Sequence, residues 1–145
     1  MGVKVTDNTD EVMQEINKAV RKGLERCGQK AEGYAKLMCP VDSGLLRNSI
    51  THVVDGEYLS ANYHADSPGK NGAYRFGSYS FTAPAKDEPT VTIGSNVEYA
   101  PYVEMGHIQA GSGRYIYPEH FLEMAATNHG AEYKSIINEE LSKLS

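Results

Sequence analysis

Five histidines and 19 acidic residues give this 145-residue chain the side chains that bind metals and move protons. His120 and Glu123 stand three apart on an expected helix, and Glu104 and His107 stand three apart on a shorter element. That spacing lets two side chains reach one ion. Two ligands do not make a site, and no motif supplies a third, so no metal is expected. Ser43, Ser49 and Ser95 could serve as nucleophiles, but a nucleophile needs a base and a third group that orients the base. None of the three sits in a nucleophile elbow. Gly111-Ser112-Gly113 lacks the Lys-Ser/Thr that completes a phosphate-binding loop. The two cysteines, Cys27 and Cys39, fall in one expected helix, about 18 Å apart along its axis. A disulfide spans about 7 Å at most, so both are expected as reduced packing residues. The sequence predicts no enzyme and no cofactor.

Tyrosine is more informative. There are ten Tyr and no Trp, and eight of the ten fall between Tyr58 and Tyr117. Tyrosine covers apolar area while keeping a polar tip, which suits protein interfaces. Tyr74, Arg75, Phe76, Tyr79 and Phe81 cluster in a Gly- and Ser-rich stretch and are the expected interface residues. Aromatics with Lys70, Arg75 and Lys86 could also stack on single-stranded nucleic acid. Asp66, Asp87 and Glu88 neutralise those cations, however, which favours a protein partner. The bland alternative for any one tyrosine is a half-buried place on a small sheet.

Elements must hold these residues. Val12, Ile16, Val20, Leu24, Cys27, Ala31, Tyr34 and Met38 recur at steps of four and three, which predicts an amphipathic helix from Thr9 to Met38. Asn8 and Glu11 suggest a capping box, and Pro40 ends the helix. Gly23, Gly28 and Gly33 each cost about 1 kcal/mol relative to Ala, so packing must hold it together. Ser49–Val54 and Tyr58–Tyr63 read as strands, with Asp55-Gly56 as a hairpin signal between them. Residues 66–89 form a long arm, of which Tyr74–Phe81 could be a projecting hairpin. Pro89–Ile93 reads as a strand, Tyr99–Met105 as a short helix closed by Gly106, and His107–Tyr115 as loop. A last helix is expected from Pro118, with Glu119 in its first turn and Gly130 weakening its middle. The expected fold is one α+β domain over residues 1–145. In it a long N-terminal helix and a C-terminal helix pack on a small antiparallel sheet.

Composition is that of an ordinary globular domain, with 40% apolar and 23% charged residues. The net charge of −5 disfavours a protein that coats nucleic acid. The N-terminal stretch lacks the apolar run of a signal peptide, and no run is long enough to span a bilayer. The expectation is folding in the cytoplasm, no membrane partner and no sequence-specific nucleic acid.

Three stretches in order carry a resemblance: Cys39–Ile50 (CPVDSGLLRNSI), Ile93–Gly106 (IGSNVEYAPYVEMG) and Tyr117–Leu122 (YPEHFL). Together they resemble the tail-completion, or head–tail joining, proteins of long-tailed phages, the gene-product-ten-like family of lambdoid phages and prophages. The resemblance runs from about Ala31 to Ala126. His107, Glu119-His120 and the length of the 66–89 arm depart from the family pattern. The resemblance implies a structural virion protein of the tail or neck. Its subunits would close into a ring, sixfold to match a tail tube, between connector or stopper proteins and tail-tube or tail-terminator proteins. Another small tail or neck subunit, such as a tail terminator, is the related alternative, and a single-strand-binding module is the unrelated one. The motif residues are Pro40, Asp42, Gly44, Arg47, Tyr99, Tyr102, Glu104, Gly106, Pro118 and Phe121. Asp42 is expected to cap the turn from Ser43 to Arg47, and Gly44 to allow a backbone shape other residues resist. Arg47 and Glu104 are expected to pair. Tyr99, Tyr102 and Val103 are expected to bury against the sheet, and Phe121 and Leu122 to anchor the last helix.

Overall fold

A computed structural model describes residues 2, 7–70 and 72–144. The chain runs α1 (Thr9–Met38), α2 (Leu45–Ser49), β1 (Thr51–Val54), β2 (Tyr58–His64), β3 (Phe76–Thr82), β4 (Val91–Gly94) and α3 (Ala100–Met105). It continues through β5 (His107–Ile108), β6 (Tyr115–Ile116), α4 (Phe121–Thr127) and α5 (Gly130–Ser142). The class is α+β, as the sequence predicts.

α1 has the expected bounds. Asn8 precedes it without a side-chain bond into the helix. Asp7 Oδ1 accepts from the Thr9 amide at 2.9 Å instead, so the capping box with Glu11 does not form. The buried face is Ala19, Gly23, Cys27, Gly28, Ala31 and Ala35. This narrower stripe of small residues overlaps the expected one only at Cys27 and Ala31; Val12 is exposed. Small side chains are needed because neighbours come close. A Cβ on Gly28 would sit 2.6 Å from His52 Cδ2 and 2.7 Å from Val91 Cγ2, and one on Gly23 would sit 3.1 Å from Ile137 Cγ1. Two of the three helix glycines are therefore points of close approach, whose gain in packing offsets their helix-propensity cost.

The strands form three two-stranded antiparallel ladders rather than one sheet: β1 with β4, β2 with β3, and β5 with β6. Asp55-Gly56 does turn the chain, with Gly56 at φ +78°, but β1 and β2 do not pair across it. The reason lies in Asp55. Its buried carboxylate accepts from Lys86 N at 3.1 Å and Thr90 N at 3.0 Å, and Arg21 stands 3.5 Å away. These bonds draw in the segment that leads to β4, so β1 takes β4 as its partner and β2 turns away to take β3. Most of the 66–89 arm is thus an ordered loop and the strand β3. The stretch read as loop after His107 carries the short β5–β6 ladder.

The C-terminal helix is broken. α4 begins at Phe121, past Pro118 and Glu119, with His120 at φ +50° before it. It stops at Thr127, and α5 starts at Gly130, the weak helix-former of this stretch. α5 packs along α1 rather than on a sheet: Ile137 meets Gly23, Cys27 Sγ donates to Tyr133 O at 3.4 Å, and Arg26 pairs with buried Glu140 at 2.8 Å. Tyr34 and His129 stack with ring centroids 3.6 Å apart. The main core joins Ala35, Cys39, Leu45, Leu46, Ile50, Ala65, Val97, Ala100, Phe121 and Ala125. All three stretches singled out in the sequence feed it.

Candidate functional site

The same three stretches that build the core also build the surface above it. Cys39 follows α1 in extended geometry, at φ −69° and ψ 129°, and Pro40–Ser43 lead to α2. Gly44 has φ +86°, a region favourable only to glycine, and a Cβ there would lie 2.6 Å from Asp66 Oδ2. Leu45 and Leu46 turn inward and are buried. From the second stretch, Tyr99 and Val103 pack half-buried against this core. Gly106, at φ +78°, lets the chain pass within contact of Ile116 O and Pro118.

Between them lies an open cleft of about 360 Å³. Pro40 to Leu46 form one wall, and Tyr99, Val103, His107, Ile116, Tyr117 and Glu119 the other, with Lys70 at the margin. Its lining is mainly apolar, and its rim is exposed: Val41 and Tyr117 face solvent, Tyr117 with 77% of its surface open. Tyr117 stands edge-on to Tyr115, centroids 5.0 Å apart. Leu37, Tyr102, Met105 and Ile108 are exposed on the elements that enter and leave the cleft walls. Leu37 and Ile108 were missed in the sequence. Leu37 carries a signal in hindsight, an apolar side chain off the periodic stripe of α1.

The polar side chains here serve the scaffold. Arg47 pairs with Asp66, not Glu104. Asn48 Nδ2 joins them, donating to Asp66 Oδ1 at 3.0 Å and to His64 O at 2.8 Å. Asp66 lies in the arm, outside the three stretches, so motif position alone does not point to it. The turn into α2 is capped by Ser43, whose Oγ accepts from Leu45 N at 3.3 Å, while Asp42 accepts from Lys70 N at 3.2 Å. Glu104 caps α4 from outside, accepting from Leu122 N and Glu123 N at 2.9 Å each. Tyr102 is more than half exposed and does not bury against the sheet, whereas Phe121 is fully buried. Burial pushes the Cys39 thiol up to about 11.

Glu104 does come close to the His120–Glu123 pair. Ligand atoms of the three lie within 4.8 Å of one another, and His120 Nδ1 is 3.1 Å from Glu123 Oε2. Sequence spacing pairs Glu104 with His107 instead. Both Glu104 oxygens are engaged by the first amides of α4. Ser49 Oγ is buried against Ser95 Oγ at 2.5 Å and Leu46 O at 2.6 Å, a packing bond with no histidine in it.

One comparison with known proteins decides the family. The family model described as "Bacteriophage HK97-gp10, putative tail-component" matches residues 4–106. The chain belongs to this HK97-gp10-like family of phage tail components. No curated protein and no solved structure matches it significantly. The matched span holds α1 through α3 and hence one whole wall of the cleft and part of the other; the YPEHFL stretch lies beyond it. Among the described residues, no helix of this tail component is long and apolar enough to cross a membrane.

The β2–β3 ribbon is the tail component's second exposed surface. Tyr74 and Phe76 face solvent, Phe76 with 85% of its surface open, and Phe81 is less exposed. Arg75 pairs with Glu98 at 2.6 Å. Tyr79 differs from its neighbours: it is buried, donates to Ser49 O at 2.9 Å and accepts from Asn96 N at 2.8 Å. Strand alternation puts Phe76, three residues away, on the opposite face, whereas Phe81 shares the face of Tyr79, their ring centroids 6.3 Å apart.

Proposed function

We propose that this tail component joins tail to head as a subunit of a neck or tail-completion ring, and that it works without catalysis. The observation that carries this is the cleft. The three stretches converge to line one open apolar groove with tyrosines and aliphatics left bare on its rim, the form of a surface that other protein chains cover. Its exposed groups offer apolar area, not an activated nucleophile. In this reading the partners are further copies of the chain, the connector or stopper above and the tail tube or terminator below. The place of action is the virion neck, after folding in the host cytoplasm. The pairing of Arg75 with Glu98 speaks against the aromatic arm serving as a nucleic-acid stack, because it takes up the cation beside Tyr74 and Phe76. A phage deleted for the gene tests the role. Its lysate should hold full heads and complete but separate tails, joined when the purified protein is added back. Normal tailed particles from the deletion would rule the role out.

A further inference from the structure

The β2–β3 ribbon has two open sides. Its register runs unbroken from Tyr58 opposite Thr82 to His64 opposite Phe76. Just beyond each end the main-chain bonds fall on odd-numbered pairs, Ala65 N to Arg75 O and Ala83 N to Glu57 O, both at 2.8 Å. Alternation along an antiparallel ladder then turns the N–H and C=O groups of the even-numbered residues outward. At one end of the ribbon these are partly met. Asn48 Nδ2 donates to His64 O, and Asn96 Nδ2 donates to Ser78 O at 2.9 Å. At the other end, among the described residues, the outward main chain of Tyr58, Ser60 and Asn62 on β2 and of Ser80 and Thr82 on β3 has no partner.

Folded chains usually blunt such edges with charge, proline or a bulge. None is present. The strands YLSANYH and FGSYSFT contain no Lys, Arg, Asp, Glu or Pro, and the register has no bulge. The two open stretches also match in height, since Tyr58 lies opposite Thr82 and Ser60 opposite Ser80. One side of the ribbon is therefore complementary to the other side of a second copy.

We propose that the ribbons of neighbouring subunits pair edge to edge, the β2 edge at Tyr58–Asn62 of one copy bonding antiparallel to the β3 edge at Ser80–Thr82 of the next. The inference rests on the ring reading and names the contact that makes the ring. In a rotationally symmetric ring every β2 runs the same way along the axis. Each β3 then meets its neighbour's β2 antiparallel, the same sense as within the ribbon. The two edges lie on opposite sides, so the contact is heterologous and propagates until it closes. Closure leaves no free edge, as in a barrel. The exposed face carrying Tyr58, Ser60, Asn62, Ser80 and Thr82 then forms one uncharged surface of the closed assembly.

Edge-blocking substitutions that spare the ribbon's own bonds test this. Ser60→Pro removes an N–H the ribbon does not use, and Ser80→Lys puts charge on the other edge. Ring formation is read by native mass spectrometry and negative-stain microscopy, for purified protein and for complemented phage, against wild type and Ser80→Thr. Wild type and Ser80→Thr should form rings, while the blocked chains, still folded by circular dichroism, lose at least about ten-fold in ring population. If a blocked chain unfolds, cysteines decide. A Ser60→Cys chain mixed with a Ser80→Cys chain should oxidise to a mixed disulfide dimer, and neither should do so alone; native Cys27 and Cys39 are buried and do not compete. Rings formed equally well by the blocked chains, or no mixed disulfide, would overturn edge pairing and leave the ring reading standing. No ring from wild type in either setting would overturn both.

Discussion

The Tyr79 hydroxyl donates to the Ser49 carbonyl at 2.9 Å and accepts from the Asn96 amide at 2.8 Å. One buried phenol thus fastens the ribbon to the end of α2 and to the chain that leads into α3. Tyr79→Phe keeps the ring and strands both partners. It should destabilise the fold by about 1–3 kcal/mol, the cost of leaving buried polar groups unmet. Urea denaturation checks this. A loss below about 0.5 kcal/mol would show that water replaces the hydroxyl.

Two glycines of α1 should respond in opposite directions. Gly28→Ala forces a methyl within 2.6 Å of His52 and 2.7 Å of Val91. Its cost should be about 1–3 kcal/mol, typical of overpacking. Gly33 has nothing within 4 Å of the added atom, so Gly33→Ala should stabilise by up to about 1 kcal/mol through helix propensity. Thermal melts of the two variants, compared with wild type, read the sign directly.

Glu104 holds the first amides of α4 in place of a cap within the helix. Glu104→Ala should cost about 0.5–2 kcal/mol, the usual worth of an N-terminal cap. Glu104→Gln, which retains a neutral acceptor, should cost less. Equal losses for Ala and Gln would mean that the negative charge, not the hydrogen bonding, is what matters.

His52 lies between two carboxylates, 3.0 Å from Glu32 and 2.7 Å from Glu25. The hydrogen bond with Glu32 is the largest influence and raises the imidazole above its ordinary value, against the opposing effect of burial. For Glu32, burial pushes upward, but its bonds with His52 and Lys36 outweigh it and the carboxyl is lowered. The signs follow from linkage. A raised histidine contributes stability below about pH 6.5, its unfolded value, and loses it as pH rises through the folded value. A lowered carboxylate contributes above its unfolded value of about 4.5 and loses it as pH falls through the folded one. The stability difference between wild type and His52→Gln should therefore be greatest near pH 5.5 and shrink toward pH 9. A difference that does not change with pH would refute the coupling.

Local signals were legible in the sequence, and long-range choices were not. The bounds of α1 follow from its periodicity and Pro40, and Gly44 and Gly106 have the positive φ their places in the turns suggest. Asp55-Gly56 is a turn in sequence and in structure. Its failure to make a hairpin depends on Asp55 binding amides more than thirty residues away, which no local pattern reveals. The pairing of Arg47 with Glu104 was inferred from motif position alone, and the nearer carboxylate, Asp66, came from the arm. Tyr79 and Phe76 have the same composition signal, yet strand alternation buries one and exposes the other. The small-residue face of α1 escaped a search tuned to large apolar side chains, because Gly and Ala mark close packing only when the neighbour is known.

The cleft rim offers the most direct test of a surface built to be covered by other chains. Val41→Lys with Tyr117→Lys places two charges on exposed rim positions, where folding should be little affected. The fraction of heads bearing tails is counted by electron microscopy in a deletion phage complemented with this variant. The account predicts separated heads and tails, with the variant melting like wild type. Tailed particles at the wild-type fraction would contradict it.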